Sequence, residues 1–156
     1  MSIFNFLKRE GNIETKVEIS AHNKWCKIVD KAINDYDSLS RNERVWFNSR
    51  SVIDATNNGG LISYYYNSGA DNIYDTIEDI ELLGSERIVE IIKEFNKIIF
   101  LELKVPANIH ERNTSINNLT DNAGDTLQDL ESEILLLIDD LENRLNVFLT
   151  KKKILD

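Results

Sequence analysis

Apolar residues recur at intervals of three and four over the last third of the chain. The row comprises Leu127, Leu130, Ile134, Leu137, Leu141, Leu145 and Phe148. Such spacing gives an α-helix one apolar face, here over a length of about 33 Å. Strand patterns are weak throughout the sequence. We therefore predict an all-α, single-domain bundle of about six helices with a long C-terminal helix.

Four shorter apolar rows upstream also have helical spacing. They lie at Trp25–Tyr36, Val45–Ile53, Ile73–Ile80 and Ile88–Ile99. We expect Ser20 to cap the first helix and Ser85 the fourth, while Ser40 and Glu43 have the spacing of a capping box for the second. Gly84 is expected to end the third. The polar connection from Leu103 to Thr120, which holds the only proline, is predicted to be a long loop.

The length of 156 residues suits one domain with a substantial core. We expect residues 1–19 to form an N-terminal extension, docked or flexible, in which Ile3, Phe4, Phe6 and Leu7 can make a short amphipathic turn. Residues 20–150 are the predicted helical domain. Residues 151–156 are a basic C-terminal tail that begins with three lysines.

The second helix is followed by the most distinctive stretch of the sequence. We predict that this stretch forms a tight turn between two helices, which we call the corner. Its residues are Asn58, Gly59, Gly60, Tyr64 and Tyr65. Glycine and asparagine tolerate the left-handed backbone that closes a helix, and tyrosine rings can fill a junction between helices. The same residues, with Asn57, could instead line a small polar pocket. A filled corner and a ligand pocket therefore remain alternative interpretations.

The formal net charge of −9 and the pI of about 4.8 disfavour direct binding to nucleic acid and favour a basic partner. The single cysteine, Cys26, excludes an intrachain disulfide and is expected to be a buried or half-buried apolar residue. The N-terminus places its charges after a short apolar run, the reverse of a signal peptide. No apolar run is long enough to span a bilayer, so we expect a cytoplasmic protein.

No catalytic or metal-binding pattern is present in the sequence. The two histidines, His22 and His110, have no partner at metal-ligand spacing and are expected on the surface. No serine has a nucleophile-elbow context, and Cys26 has no evident base. We predict a non-enzymatic protein with no cofactor and no metal.

Two regions concentrate the acidic residues. Residues 71–94 hold eight acids and two bases, and residues 121–142 hold eight acids and no base. Several acids are four apart and so share a helix face, where like charges repel unless a partner is present. The candidate partner-binding residues are Asp71, Asp75, Asp79, Asp121, Asp125, Asp129, Glu133 and Asp140. A third four-apart set is Glu86, Glu90 and Glu94.

The sequence resembles the bacterial DNA-mimic-protein family. The likeness rests on Asn58-Gly59-Gly60, Tyr64, Tyr65, Asn67-Ser68-Gly69 and the helix end at Leu83-Gly84, with Trp25 upstream and the Leu127–Phe148 helix downstream. It covers about residues 20–150. The resemblance implies an all-α fold and carboxylates that imitate DNA phosphates on the DNA-binding face of a transcription factor.

The leading hypothesis is thus an acidic module that binds a basic protein, such as a transcription factor or another DNA-binding protein, with no membrane partner. An immunity or antitoxin-like protein that neutralises a toxin is an alternative, as is a small-ligand-binding domain that uses the corner. The long C-terminal apolar row also leaves pairing with a second copy open.

Overall fold

A computed structural model describes residues 16–101 and 104–155 of the chain. Its seven α-helices are α1 (Lys16–Asp35), α2 (Arg41–Gly59), α3 (Leu61–Tyr65), α4 (Ile73–Leu82), α5 (Glu86–Phe100), α6 (Ile109–Asn117) and α7 (Asp121–Lys151). Two 3-10 turns, Tyr36–Ser38 and Ser68–Asn72, complete the described part, which contains no strand. The all-α fold with a long C-terminal helix is confirmed.

The second helix lies at the centre of the fold. It packs against α1, α3, α4 and α7, and its predicted inward residues Val45, Trp46, Val52 and Ile53 are all buried. The predicted capping box forms at its start. The Glu43 N–H donates to Ser40 Oγ at 3.3 Å, and the Ser40 N–H donates to Glu43 Oε2 at 2.7 Å.

The helix α7 covers one side of this centre. Its buried residues are Leu127, Leu130, Ile134, Ile138, Leu141, Glu142, Leu145 and Leu149. Thr120 Oγ1 accepts from the Ala123 N–H at 3.3 Å, so the helix begins at Asp121, before the apolar row. With 31 residues it is about 46 Å long.

The prediction of a long loop before α7 was wrong, because this segment contains the helix α6. Asn108 Oδ1 accepts from the backbone N–H groups of His110 and Glu111 and so caps this helix. Arg112 and Ile116, four residues apart, then give α6 a buried face. With this helix, the described residues form seven α-helices, in line with the predicted bundle of about six.

Three local expectations were wrong in whole or in part. The helix α1 begins by Lys16, so Ser20 lies inside it and does not cap it. Ser85 does occupy the N-cap position of α5, but its Oγ is buried without a hydrogen-bond partner among the described residues and makes no capping bond. Cys26 is exposed, because it lies on the outer side of α1 while Ala21 and Ile28 face inward. The amphipathic turn expected at residues 3–7 lies outside the described residues.

The two glycines make the turn between α2 and α3. Gly60 has φ +80° and ψ 166°, a conformation that residues with a β-carbon rarely adopt. The Tyr64 hydroxyl lies 2.9 Å from Thr76 Oγ1 and 2.9 Å from the Gly69 carbonyl oxygen, to which it donates. Tyr65 stacks on Phe95, and its ring is also fully buried. Two tyrosines therefore fill the space beneath the turn.

The C-terminal segment folds back onto the domain. Lys24 Nζ of α1 donates to the Ile154 carbonyl oxygen at 2.9 Å, and Leu155 is buried. The end of α7 is thereby held against α1, with Lys151, Lys152 and Lys153 exposed beside it.

Candidate functional site

The acidic row on α4 faces basic residues of α2. Asp79 is fully buried, and Arg44 donates to it through Nε at 3.2 Å and Nη2 at 3.1 Å. Arg41 Nη1 lies 2.5 Å from Asp79 Oδ1, and Asn48 Nδ2 donates to Oδ2 at 2.8 Å. Asp75 pairs with Arg44 at 3.3 Å. Arg41 and Arg44 of α2 thus neutralise Asp75 and Asp79.

Burial raises the pKa of Asp79 to about 6, and the bonds from Asn48 and Arg44 oppose that rise only in part. A buried carboxylate that already has three partners presents no charge to another molecule. We therefore do not retain Asp79 in the proposed binding surface.

Asp71, which lies in the 3-10 turn before α4, pairs with a buried arginine. Arg112 of α6 is fully buried and its Nη2 donates to Asp71 Oδ1 at 2.6 Å. The other guanidinium hydrogen bonds go to the backbone carbonyl oxygens of Tyr65, Asn67, Pro106 and Ala107. Arg112 therefore joins α6 to the corner, and Asp71 helps to balance its charge.

The row at the start of α7 has different surroundings. Asp121, Asp125 and Asp129 are exposed, and no basic side chain within the described ranges forms an ion pair with them. Each step of four residues advances about 6 Å along the axis and turns about 40° around it. The three carboxylates therefore follow a slowly curving line on the outside of the helix.

The next residue of that line, Glu133, belongs to a cluster that joins α7 to α5. Arg87 donates to Glu133 through Nε at 2.6 Å and through Nη2 at 2.8 Å. Its Nη1 also contacts Glu90 at 2.9 Å and Glu94 at 3.2 Å. These hydrogen bonds raise the pKa of Arg87 and lower that of Glu133. Three carboxylates around one guanidinium leave this exposed cluster acidic.

The remaining candidate, Asp140, pairs with Arg144 of the same helix at 2.6 Å. Both side chains are exposed, and such pairs contribute little to stability. The structure thus brings Asp121, Asp125, Asp129 and Glu133 together on α7. By contrast, Asp75 and Asp79 of α4 pair with α2, and Asp71 pairs with α6.

Two acids of α7 face inward. Glu142 lies 2.5 Å from Arg50 Nη1, and Glu131 Oε1 accepts from the Ile62 N–H at 2.6 Å. Burial raises the pKa of Glu131. Both belong to the eight acids of residues 121–142. Glu131 directly follows Leu130 of the apolar row, and Glu142 directly follows Leu141. These positions were the sequence signal that both acids face the core.

No metal centre is apparent in the part of the chain that the structure describes, where no three His, Cys, Asp or Glu side chains converge. Cys26 Sγ lies 3.5 Å from His22 Nε2 on the exposed side of α1. Beside the filled corner, an open groove of about 540 Å³ is lined by residues that include Ile33, Asp54, Asn58 and Tyr64. The described helices include none long and apolar enough to cross a membrane.

The fold and the exposed face of α7 define the class of protein. It is an acidic, all-helical domain that exposes a row of unpaired carboxylates. A family model described as DMP19-like protein matches residues 37–152, from the turn before α2 to the end of α7. The chain therefore belongs to the DMP19-like family, the family of DNA-mimic proteins. No curated protein and no solved structure matches the chain.

Proposed function

We propose that this chain is a non-enzymatic DNA mimic that occupies the basic surface of a DNA-binding protein. The observation that carries the proposal is the line of unpaired carboxylates Asp121, Asp125 and Asp129 on a member of a DNA-mimic family. Carboxylates spaced along a rigid helix offer a row of negative charges to arginine and lysine side chains that otherwise contact phosphates.

The cluster around Arg87 extends this surface onto α5. Glu90 is exposed, and Glu94 and Glu133 are partly exposed, so a basic partner can compete with Arg87 for their oxygens. Asp71 and Asp75 contribute less, because Arg112 and Arg44 already neutralise them. Asp140, which is paired with Arg144, lies further along α7 at the edge of the proposed surface.

The experiment that tests this function is affinity capture from the native lysate at low salt, followed by competition with duplex DNA. A DNA mimic captures a basic DNA-binding protein that moderate salt releases and that duplex DNA displaces. The toxin-neutralising alternative uses the same acidic surface. It predicts one tightly held partner that DNA does not displace, which would contradict mimicry.

A further inference from the structure

Arg87 of α5 lies within the acidic surface and contacts three of its carboxylates. Its Nε and Nη2 donate to the two carboxylate oxygens of Glu133 on α7, at 2.6 and 2.8 Å. Its Nη1 donates to Glu90 at 2.9 Å and to Glu94 at 3.2 Å. The paired bonds to Glu133 have the bidentate geometry that makes guanidinium–carboxylate contacts strong and specific.

The position of Glu133 makes these contacts relevant to binding. Glu133 follows Asp129 in the line of carboxylates on α7, one step of about 6 Å further along the helix axis. The three aspartates before it form no ion pair with a basic side chain in the described ranges. Arg87 therefore neutralises the fourth carboxylate of a line whose first three are available to a partner.

The contacts of Arg87 are also open to exchange. Each of the four side chains in the cluster is at least 41% exposed, so another molecule can reach them. Ion pairs at such positions contribute little to the stability of a fold. Arg87 can thus leave the three carboxylates without disturbing the core between α5 and α7.

We propose that Arg87 is an internal competitor, which lowers the affinity of this acidic surface for a basic partner and is displaced when the partner binds. The inference rests on the proposed function, because it concerns the same surface. Loss of Arg87 makes the surface one charge more negative and frees three carboxylates at once. An arginine that only joined α5 to α7 would have the opposite effect, since its loss would loosen the surface and weaken binding.

Calorimetric titration with a hexa-arginine peptide tests this competition. We expect Arg87→Gln to lower the dissociation constant at least about threefold and to make it depend more steeply on salt. Arg87→Lys keeps the net charge but cannot bind Glu133 through two nitrogen atoms, so its constant should fall between those of Arg87→Gln and wild type. Lys27→Gln removes a positive charge from an exposed position of α1. As the matched control, it should stay within about twofold of wild type.

Two further measurements separate displacement from a structural role. In a Glu133→Gln background, Arg87→Gln should tighten binding less than it does in the wild-type chain, because the main contact of Arg87 is already lost. NMR of the Arg87 Nε–H group should show faster exchange with water after the peptide is added. A purely structural arginine would keep its exchange rate. Circular dichroism checks that each variant folds.

This inference and the proposed function fail in different ways. Arg87→Gln that binds the peptide no more tightly than wild type or than Lys27→Gln would overturn the competition and leave the proposed function intact. An Nε–H exchange rate that the peptide does not change would do the same. A wild-type chain that captures no DNA-binding protein would contradict the proposed function, and the peptide titration would still decide whether Arg87 competes.

Discussion

The carboxylate of Glu131 occupies the space that a β-carbon on Gly60 would need. From that position Glu131 Oε1 accepts the Ile62 N–H at 2.6 Å, one of the free donors at the start of α3. The corner and the long C-terminal helix are therefore joined by one side chain. A glycine is therefore required at position 60 for two independent reasons. One is the backbone conformation of this residue, and the other is the adjacent Glu131 carboxylate.

Gly60→Ala should lower the free energy of unfolding by about 1–3 kcal/mol for backbone strain alone, with a further loss from the collision with Glu131. Gly124→Ala is the matched control, since Gly124 lies within α7 and a β-carbon there meets nothing within 4 Å. It should stabilise the protein by about 0.5–1 kcal/mol. Urea unfolding measures both. Equal effects of the two substitutions would refute this role of Gly60.

Glu131→Ala removes the acceptor for the Ile62 N–H and should cost about 1 kcal/mol. Glu131→Gln keeps an oxygen acceptor and avoids a partly buried charge, so it should stay close to wild type. In a double-mutant cycle, Gly60→Ala and Glu131→Ala should be less than additive, because the second change removes the side chain with which the first collides. Additive losses would show that the two residues are not coupled.

Asp79 should make stability depend on pH. Its pKa is about 6 in the folded protein, above the usual value of about 4 for an unfolded chain. Between these values the folded state binds the proton first, so the Asp79 contribution to the unfolding free energy rises as pH falls from 6 to 4. Above pH 6 this contribution is constant and least favourable.

Carbon-13 NMR of the Asp79 carboxyl group measures this pKa directly, and a midpoint near 6 is expected. Asp79→Asn should flatten the pH dependence of unfolding between 4 and 6 relative to wild type. A carboxyl group that titrates at or below about 4 would mean that Arg41 and Arg44 outweigh burial.

Arg112 should contribute more to stability than any acid on the surface. Arg112→Ala leaves the carbonyl oxygens of Tyr65, Asn67, Pro106 and Ala107 without this donor and should cost roughly 3–5 kcal/mol. Asp71→Asn keeps those bonds but leaves the buried guanidinium without its carboxylate partner, so it should cost less than Arg112→Ala and more than the roughly 1 kcal/mol of an exposed ion pair. Thermal unfolding compares the two. A larger loss for Asp71→Asn would reverse this ranking.

The elements that the sequence predicts well are those set by local interactions. The Ser40–Glu43 capping box and the apolar faces of α2 and α7 depend on residues within a few positions of one another, so spacing alone defines them. The same holds for the end of α4 at Gly84, which has φ +75°. The helix α6 was missed because its apolar signal is short and one of its two buried residues is an arginine.

The exposure of the acidic rows to solvent could not be predicted from residue spacing. Spacing correctly places Asp75 and Asp79 on one side of α4, but Arg41 and Arg44, which neutralise them, come from α2. Asp121 and Asp125 have the same four-residue spacing and no such partner. Tertiary contacts between residues far apart in the sequence decide the outcome. They determine whether a row of carboxylates forms ion pairs within the protein or faces solvent.

The proposed function requires that the unpaired carboxylates of α7 bind the partner. A triple variant, Asp121→Asn, Asp125→Asn and Asp129→Asn, tests this requirement through its affinity for the DNA-binding protein captured by the wild-type chain. A second triple variant, Asp30→Asn, Asp35→Asn and Asp37→Asn, changes the net charge equally at exposed positions on α1 and the turn after it. Calorimetry at fixed low salt gives each dissociation constant.

We predict that the α7 variant binds at least about tenfold more weakly than wild type, and that its binding depends less steeply on salt. The control variant should stay within about twofold of wild type. Equal weakening of both variants would mean that net charge alone attracts the partner. An α7 variant that binds as tightly as wild type would contradict the proposed surface.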